Sequence, residues 1–366
     1  MKEATLVYLF PGQGAQYTGM ALDFLETRDG PSVRRLFELA SEICGKDMAA
    51  LLRDSGAETL KRTDLSQPAV TLANLAAMAF LSERGCGPAA CAGFSLGEYA
   101  ALVCASVISA EDCFRLVKAR GEAMQRSADR LRRAATDARG DGGGTDSRGA
   151  DSGGGNTPSG ATDADGASKA GDAPGMAAVI GLPVEKVEAL AAEWKAGGLK
   201  DLYPANINSP KQLVVSGTAA ALAEAAIRFR AAGARRCVRL QVAGPFHSPL
   251  IADAAEAFRP VLESVEFRDP LLPLYSNVTG RRVSSGAEAK KLALAQITSP
   301  VRWVDEEAAI AADPEPSGAE KICLETGPGG VLRGLWRDSG SGVPCYAAGT
   351  VEEIEKFIKG DFPETD

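Results

Sequence analysis

Short apolar segments alternate with segments of helical periodicity along most of this 366-residue chain. A chain that alternates in this way usually pairs its strands in parallel and packs its helices on the faces of the sheet. The sequence therefore predicts an α/β fold with a largely parallel sheet. A hydrophobic content of 45% can fill the core of one large domain, or of a large domain that carries a smaller one.

One stretch interrupts the alternation. Between Arg133 and Pro174 there is no Val, Ile, Leu, Met, Phe, Tyr or Trp, and Gly, Ala, Asp, Ser and Thr predominate. Such a segment has too little apolar surface to offset the entropy that it would lose on ordering. We therefore predict that residues 132–174 are a disordered insertion rich in Gly, Asp, Ala and Ser.

The predicted elements after this insertion follow the order βαββαβ. This order, over residues 175–242, is typical of a ferredoxin-like subdomain. Residues 1–131 and 243–358 then form one discontinuous catalytic core, with further strands at 274–276 and 322–324. The predicted fold class is α/β, a hydrolase-like core with a largely parallel sheet plus an inserted ferredoxin-like subdomain.

Composition argues against several functional classes. The formal charge of −8 at pH 7 gives no overall attraction to nucleic acid. No uninterrupted apolar stretch reaches membrane-spanning length, and the first residues lack the cleavage site of an export signal. The eight cysteines lack the paired CxxC spacing of metal and redox sites, which favours a reducing compartment. We expect a cytoplasmic protein that binds neither a metal ion, nor nucleic acid, nor a membrane.

The sequence GFSLG at residues 93–97 follows a short apolar strand and opens a helix. This is the GxSxG pattern of a nucleophile elbow, in which a sharp turn exposes a serine hydroxyl at a helix N-terminus. Backbone N–H groups at that position can stabilise an oxyanion. GxSxG is common by chance, and a structural turn is the alternative, but the strand–turn–helix setting predicts that Ser95 is a nucleophile.

A serine nucleophile needs a base, and His247 is the only histidine of the chain. It stands in the loop GPFHSP, residues 244–249, directly after a predicted strand. A lone histidine is more often structural than catalytic. Its combination with an elbow serine predicts that His247 is the catalytic base.

Arg120 falls on the apolar stripe of the helix predicted after Ser109, in line with Leu116 and Val117. An unpaired buried charge is costly, so a guanidinium at this position must either meet an anion or extend its head group to solvent.

Six motifs occur along the chain: FPGQGAQ at 10–16, GFSLGEYAAL at 93–102, RGEAMQ at 120–125, GPFHS at 244–248, QITSPVRW at 296–303 and ETGPGGVL at 325–332. In this order they resemble the malonyl-CoA:acyl carrier protein transacylases. The resemblance spans nearly the whole chain outside the glycine-rich insertion.

The resemblance implies that malonyl-CoA acylates Ser95 and that His247 acts first as base and then as acid. The phosphopantetheine thiol of acyl carrier protein then removes the acyl group, a ping-pong reaction that supplies fatty acid synthesis. Arg120 is implied to hold the malonyl carboxylate through a bidentate pair, which would explain an arginine on an apolar face. No cofactor is implied, because the carrier protein bears the phosphopantetheine, and we expect a monomer.

The resemblance also implies supporting roles. The backbone N–H groups of Gln13 and Leu96 form the oxyanion hole, and the backbone carbonyl of Gln296 orients His247 in place of the usual acid. Phe246, directly before the histidine, matches the pattern that selects malonyl over branched acyl groups.

The chain departs from the family at Phe94, where many relatives have a histidine that can line the acyl pocket, and in the insertion. Three other interpretations stay open. An esterase or thioesterase of the α/β-hydrolase class shares the elbow, although its histidine normally comes late in the chain and after an acid. An acyltransferase that serves a polyketide synthase would use the same residues. A non-catalytic binding module could keep the fold.

Overall fold

The computed structural model describes residues 4–27, 30–140, 173–314 and 319–361. The strands are β1 Ala4–Phe10, β2 Ala90–Gly93, β3 Gly175–Ile180, β4 Leu202–Ser209, β5 Gln212–Gly217, β6 Arg236–Arg239, β7 Tyr275–Ser276, β8 Arg281–Arg282, β9 Glu320–Glu325 and β10 Cys345–Ala347. The helices are α1 Leu22–Glu26, α2 Pro31–Cys44, α3 Met48–Asp54, α4 Ala57–Leu60, α5 Thr63–Glu83, α6 Gly97–Cys104, α7 Ala110–Gly140, α8 Val184–Ala196, α9 Ala219–Ala231, α10 Ala252–Glu263, α11 Gly286–Ala295, α12 Trp303–Ala312, α13 Val331–Ser339 and α14 Val351–Lys359.

The core is built on a parallel sheet with the strand order β10-β9-β1-β2. The last five residues of the central strand β1 are all buried, as is usual for a parallel strand that is covered on both faces. The register pairs Phe10 with Gly93. The turn after β1 and the elbow after β2 therefore leave the sheet side by side at its carboxyl edge, where open α/β sheets bind their ligands.

The predicted strand at 322–324 lies within β9, but the one at 274–276 is largely outside the parallel sheet. Leu274 forms a single parallel bridge to Cys91 in β2, and the next two residues pair with β8 in a separate antiparallel ribbon.

Helix α5 has 15 buried residues among its 21 and packs against α6 and α7. Its length and composition would allow a membrane span, but 78% of its most apolar window is buried inside the protein. That is the position of a core helix.

Strands β3 to β6 and helices α8 and α9 follow one another in the predicted order βαββαβ. The four strands form an antiparallel sheet in the order β4-β5-β3-β6. The two helices pack on it, with the rings of Trp194 and Phe229 centred 4.6 Å apart. The predicted fold class is thus confirmed, including the ferredoxin-like subdomain.

The start of the insertion was predicted incorrectly, because α7 continues through Gly140. The first nine residues assigned to a disordered insertion, 132–140, are therefore helical. Alanine and arginine have high helix propensity, and a helix already nucleated by a buried stripe propagates without further apolar side chains. Arg132 also ties this end of α7 to the core by donating to the carbonyl of Ala243 at 2.9 Å. Residues 141–172 lie outside the described residues.

Candidate active site

Ser95 occupies the tight turn between β2 and α6, with a left-handed backbone (φ 50°) that non-glycine residues seldom adopt. Close packing fixes the two glycines that flank it. A Cβ on Gly93 would lie 2.1 Å from the carbonyl carbon of Gly97, and a Cβ on Gly97 would lie 1.9 Å from the carbonyl oxygen of Phe10. The GxSxG pattern here is thus a steric requirement of the turn.

His247 lies opposite Ser95 and is also left-handed (φ 56°). Its Nε2 is 2.8 Å from Ser95 Oγ, and its Nδ1 is 2.9 Å from the backbone carbonyl oxygen of Gln296. A carbonyl can only accept a hydrogen bond, so we assign the ring proton to Nδ1. Nε2 then has a free lone pair directed at the serine hydroxyl.

The electrostatics of the site keep His247 neutral. Burial lowers its pKa to about 4, and the positive charge of Arg120 acts in the same direction, while the hydrogen bond to the Gln296 carbonyl opposes both. An imidazole must be uncharged to accept a proton. At neutral pH the ring is therefore in the state that a general base requires.

Arg120 is fully buried beside the serine. Its Nη2 lies 3.0 Å from Oε1 of Gln296 and 3.3 Å from Ser95 Oγ, and its guanidinium carbon lies 5.4 Å from the centre of the Tyr99 ring. Its Nε has no hydrogen-bond partner among the described residues. Burial lowers the pKa of this guanidinium. A buried cation with an unused donor, next to a nucleophile, is a site for an anionic group.

Gln13 lies in the turn after β1, and Leu96 directly follows the serine; these two turns leave the sheet side by side. The side-chain Nε2 of Gln13 lies 3.4 Å from Oγ1 of Thr63. Leu96 is the N-cap residue of α6, and the N–H groups at the start of a helix have no intrahelical acceptor. Within the described part of the chain neither backbone amide donates a hydrogen bond. Both are therefore free to bind an oxyanion.

The two phenylalanines of the site are placed differently. Phe246 is buried next to His247, and its carbonyl accepts a hydrogen bond from the hydroxyl of Ser216, which joins the histidine loop to β5 of the subdomain. Phe94 is half-buried, with its ring packed edge-on against Trp303 at a centroid distance of 5.5 Å.

Sequence reasoning missed a buried polar layer behind the serine. Asn277, Glu98 and Glu306 are all buried there. Burial raises the pKa of Glu98 to about 7 and raises that of Glu306 well above its ordinary value. Both acids stand among apolar residues of helices α6 and α12, the signal that singled out Arg120, so the same reasoning could have found them.

An elbow serine that shares its hydroxyl proton with a histidine is the arrangement of acyl-transfer enzymes. The family model for the acyl transferase domain matches residues 7–141. The fold, the geometry of the serine–histidine site and the match to the family model together place this chain in the acyltransferase class.

The most similar proteins narrow this class. A malonyl CoA-acyl carrier protein transacylase of Bacillus subtilis is 31% identical over 355 residues, which cover 97% of this chain and 96% of the relative. A solved malonyl-CoA:acyl carrier protein transacylase of Xanthomonas oryzae pv. oryzae superposes with a TM-score of 0.78 at 31% identity, covering 98% of this chain and 99% of that one. A third match, 30% identical with a TM-score of 0.77 and covering 98% of this chain and 100% of that one, is a malonyl-transacylase in complex with a holo type II polyketide synthase acyl-carrier protein. The chain belongs to the malonyl CoA-acyl carrier protein transacylase family, as its motifs predicted.

Proposed function

We propose that this protein transfers a malonyl group from malonyl-CoA to the phosphopantetheine thiol of acyl carrier protein, through a malonyl ester of Ser95. The observation that carries the substrate assignment is the fully buried guanidinium of Arg120, 3.3 Å from the serine oxygen. A cation that burial penalises becomes favourable when an acyl group brings its own carboxylate. Malonyl has a free carboxylate at the far end of the acyl group, whereas acetyl has none.

The first half-reaction loads the enzyme. Ser95 Oγ attacks the thioester carbonyl of malonyl-CoA and passes its proton to Nε2 of His247. The amides of Gln13 and Leu96 stabilise the resulting oxyanion. The carbon–sulfur bond then breaks, and CoA leaves as a thiol with the proton held by His247.

The second half-reaction reverses these roles. The pantetheine thiol of the carrier gives its proton to His247 and attacks the ester carbonyl. When the ester bond breaks, Ser95 recovers that proton and the malonyl group departs as a thioester. The histidine is a base in the first part of each half-reaction and an acid in the second, so the reaction needs no cofactor bound to this chain.

Ser95 and His247 can carry out this chemistry as a dyad, because the backbone carbonyl of Gln296 takes the place of the acid that orients the histidine in a catalytic triad. The carbonyl holds the Nδ1 proton at 2.9 Å and so fixes the tautomer that leaves Nε2 free. Unlike a carboxylate, it adds no negative charge to raise the pKa of the imidazole. A backbone carbonyl as the partner of Nδ1 also speaks against an α/β-hydrolase esterase, whose histidine follows an acid along the chain.

We place the reaction in cytoplasmic fatty acid synthesis, with acyl carrier protein as partner. Every candidate group comes from one chain, so we further propose that a monomer is active. Phe246 beside the histidine and Phe94 beside the serine are assigned to the boundary of the acyl pocket. A polyketide carrier is a second candidate partner, supported by the matched transacylase–polyketide carrier complex. Rates measured with a fatty acid carrier and a polyketide carrier at equal concentration would separate the two.

Intact-protein and peptide mass spectrometry after incubation with malonyl-CoA alone tests the proposal. We expect one malonyl adduct, on the peptide that contains Ser95, and no adduct in Ser95→Ala. A matched incubation with acetyl-CoA should give much less adduct. Release of CoA without any adduct would favour a hydrolase, and no reaction with either thioester would favour a binding module.

A further inference from the structure

Asn277 lies directly after β7, and its side chain is buried between the nucleophile elbow and α12. It is far from the elbow in sequence, 182 residues after Ser95. It takes no part in the proton transfers proposed above. Even so, its side-chain amide makes two contacts with the backbone of the elbow turn.

Both contacts lie on the N-terminal side of the strained residue, one of them on the N–H of Ser95 itself. Oδ1 of Asn277 accepts from the backbone N–H of Ser95 at 2.6 Å, and its Nδ2 donates to the carbonyl of Gly93 at 2.7 Å. One amide group therefore links the residue before the turn to the nucleophile. A backbone in the left-handed region is disfavoured for a residue with a Cβ and persists only where its surroundings hold it.

Two further contacts determine the orientation of the Asn277 side-chain amide. Oδ1 also accepts from Nε2 of Gln296 at 3.1 Å, and Nδ2 also donates to Oε1 of Glu306 at 2.7 Å. A flipped amide would place donor against donor on one side and acceptor against acceptor on the other. All four contacts agree on a single orientation, and together they satisfy the amide's hydrogen-bonding groups.

The backbone of Asn277 is held as well. Its N–H donates to Oε2 of Glu98 at 3.0 Å, and its carbonyl accepts from the N–H of Arg302 at 2.8 Å. The residue therefore has little freedom to follow the elbow if the turn relaxes. Such a rigid support holds the turn in place.

We propose that Asn277 is a positioning residue for acyl transfer, holding the strained Ser95 backbone so that the hydroxyl points at His247. The proposal rests on the proposed function for its reaction, but concerns only the geometry of the nucleophile. By occupying the Ser95 N–H, Asn277 also leaves the oxyanion to the amides of Leu96 and Gln13. The residue touches neither substrate nor reacting atoms, and acts only through Ser95.

Asn277→Ala and Asn277→Asp test this role beside a stability control, Val187→Ala. Val187 is buried in the core of the ferredoxin-like subdomain, so its truncation costs stability away from the elbow. For each protein we would measure kcat and KM for malonyl-CoA, the thermal midpoint, and the rate at which phenylmethanesulfonyl fluoride modifies Ser95. The sulfonylation rate reports on the nucleophile with no malonyl group present.

For Asn277→Ala we expect kcat and the sulfonylation rate to fall together by about 100-fold, the usual effect of a misplaced reacting group. KM should stay within about threefold, because the contacts of Arg120 are not removed. Val187→Ala should lower the thermal midpoint and leave both rates unchanged. Asn277→Asp keeps the acceptor for Ser95 but can donate to Gly93 only when protonated. Its carboxyl would also face the carboxyls of Glu306 and Glu98, whose negative charge favours the protonated form, so its rate relative to wild type should rise as the pH is lowered from 8 to 5.5.

A folded Asn277→Ala whose two rates stay within about threefold of wild type would overturn the proposal. So would a Val187→Ala protein whose two rates fall as far as those of Asn277→Ala, because the losses would then follow stability alone. If Asn277→Ala does not fold, the pH dependence of Asn277→Asp decides, and a ratio to wild type that is flat with pH counts against the role. A wild-type protein that is sulfonylated on Ser95 but never loads malonyl would refute the proposed function and leave the comparison of Asn277 variants valid.

Discussion

The site consists of two layers that differ in how fully their polar groups are paired. The reactive layer comprises Ser95, His247 and Arg120. The support layer behind it comprises Asn277, Gln296, Glu98 and Glu306. In the reactive layer Arg120 Nε has no partner, and the backbone amides of Gln13 and Leu96 donate no hydrogen bond, among the described residues. In the support layer the amide of Asn277 makes four hydrogen bonds, although Oε2 of Glu306 has no partner among the described residues.

This difference indicates that the two layers have different roles, one in binding and chemistry and the other in positioning. Groups left unpaired in a buried site are costly, and those of the reactive layer are the groups that a malonyl thioester would satisfy. A fully paired amide gains nothing from a substrate, but it holds its neighbours in one geometry. Substitutions in the reactive layer should therefore alter chemistry and selectivity, whereas those in the support layer should alter rate through geometry.

The largest expected effect is that of removing the base. His247→Ala should lower the rate of Ser95 malonylation by about 10⁴-fold or more, because nucleophile and base act as a unit. Single-turnover measurements with malonyl-CoA would give this rate. A loss below about tenfold would mean that another group takes the serine proton.

The next largest effect is that of replacing Arg120, and two substitutions separate the role of its charge from that of its geometry. Arg120→Ala should lower kcat/KM for malonyl-CoA by about 100-fold while raising the activity toward acetyl-CoA relative to malonyl-CoA, since only malonyl needs the cation. Arg120→Lys is the matched control, which keeps the charge but loses the bidentate geometry, and should lie between. Equal losses for the two substrates in Arg120→Ala would contradict the carboxylate assignment.

Gln296 belongs to the support layer but contacts the reactive layer, so its substitution can show how the two layers are connected. Its backbone carbonyl holds His247, whereas its side-chain Oε1 accepts from Arg120 at 3.0 Å and its Nε2 donates to Glu98 at 2.7 Å. Gln296→Ala removes only the side-chain contacts. We expect about a tenfold loss in kcat/KM for malonyl-CoA with little change toward acetyl-CoA. An equal loss toward both would show that the side chain acts mainly through the elbow, since its Nε2 also donates to the carbonyl of Ser95 at 3.0 Å and to Oδ1 of Asn277 at 3.1 Å.

The smallest expected effect is in the pH profile. The pKa of His247 is lowered to about 4, so the ring stays neutral and active until the pH falls close to that value. At pH 5.5 kcat/KM should remain near its value at pH 7, whereas a histidine of ordinary pKa would lose about tenfold. In Arg120→Ala the acid limb should move to higher pH, because the lost positive charge had helped to lower the pKa. A tenfold drop in the wild type at pH 5.5 would contradict this account.

The reactive layer could be predicted from the sequence because each of its residues lies in a recognisable local sequence pattern. GxSxG, a single histidine in a loop and an arginine on an apolar stripe can each be read from a few neighbouring residues. Contacts of Asn277 to the elbow join residues 182 and 184 positions apart, and no local pattern encodes them. The end of α7 was predicted incorrectly because the prediction ended the helix with its last apolar residue. The helix propensity of the following residues continues it to Gly140.

The most direct test of the central claim isolates the loaded enzyme and offers it a carrier. Protein malonylated on Ser95 would be freed of malonyl-CoA by rapid desalting and divided among buffer, apo carrier protein and holo carrier protein. We predict that malonyl moves to the holo carrier in near-stoichiometric amount. It should stay on the serine in buffer, and also with the apo carrier, because that carrier lacks the pantetheine thiol. Malonate released to water at the same rate in all three samples would contradict the claim that this protein is a malonyl transferase.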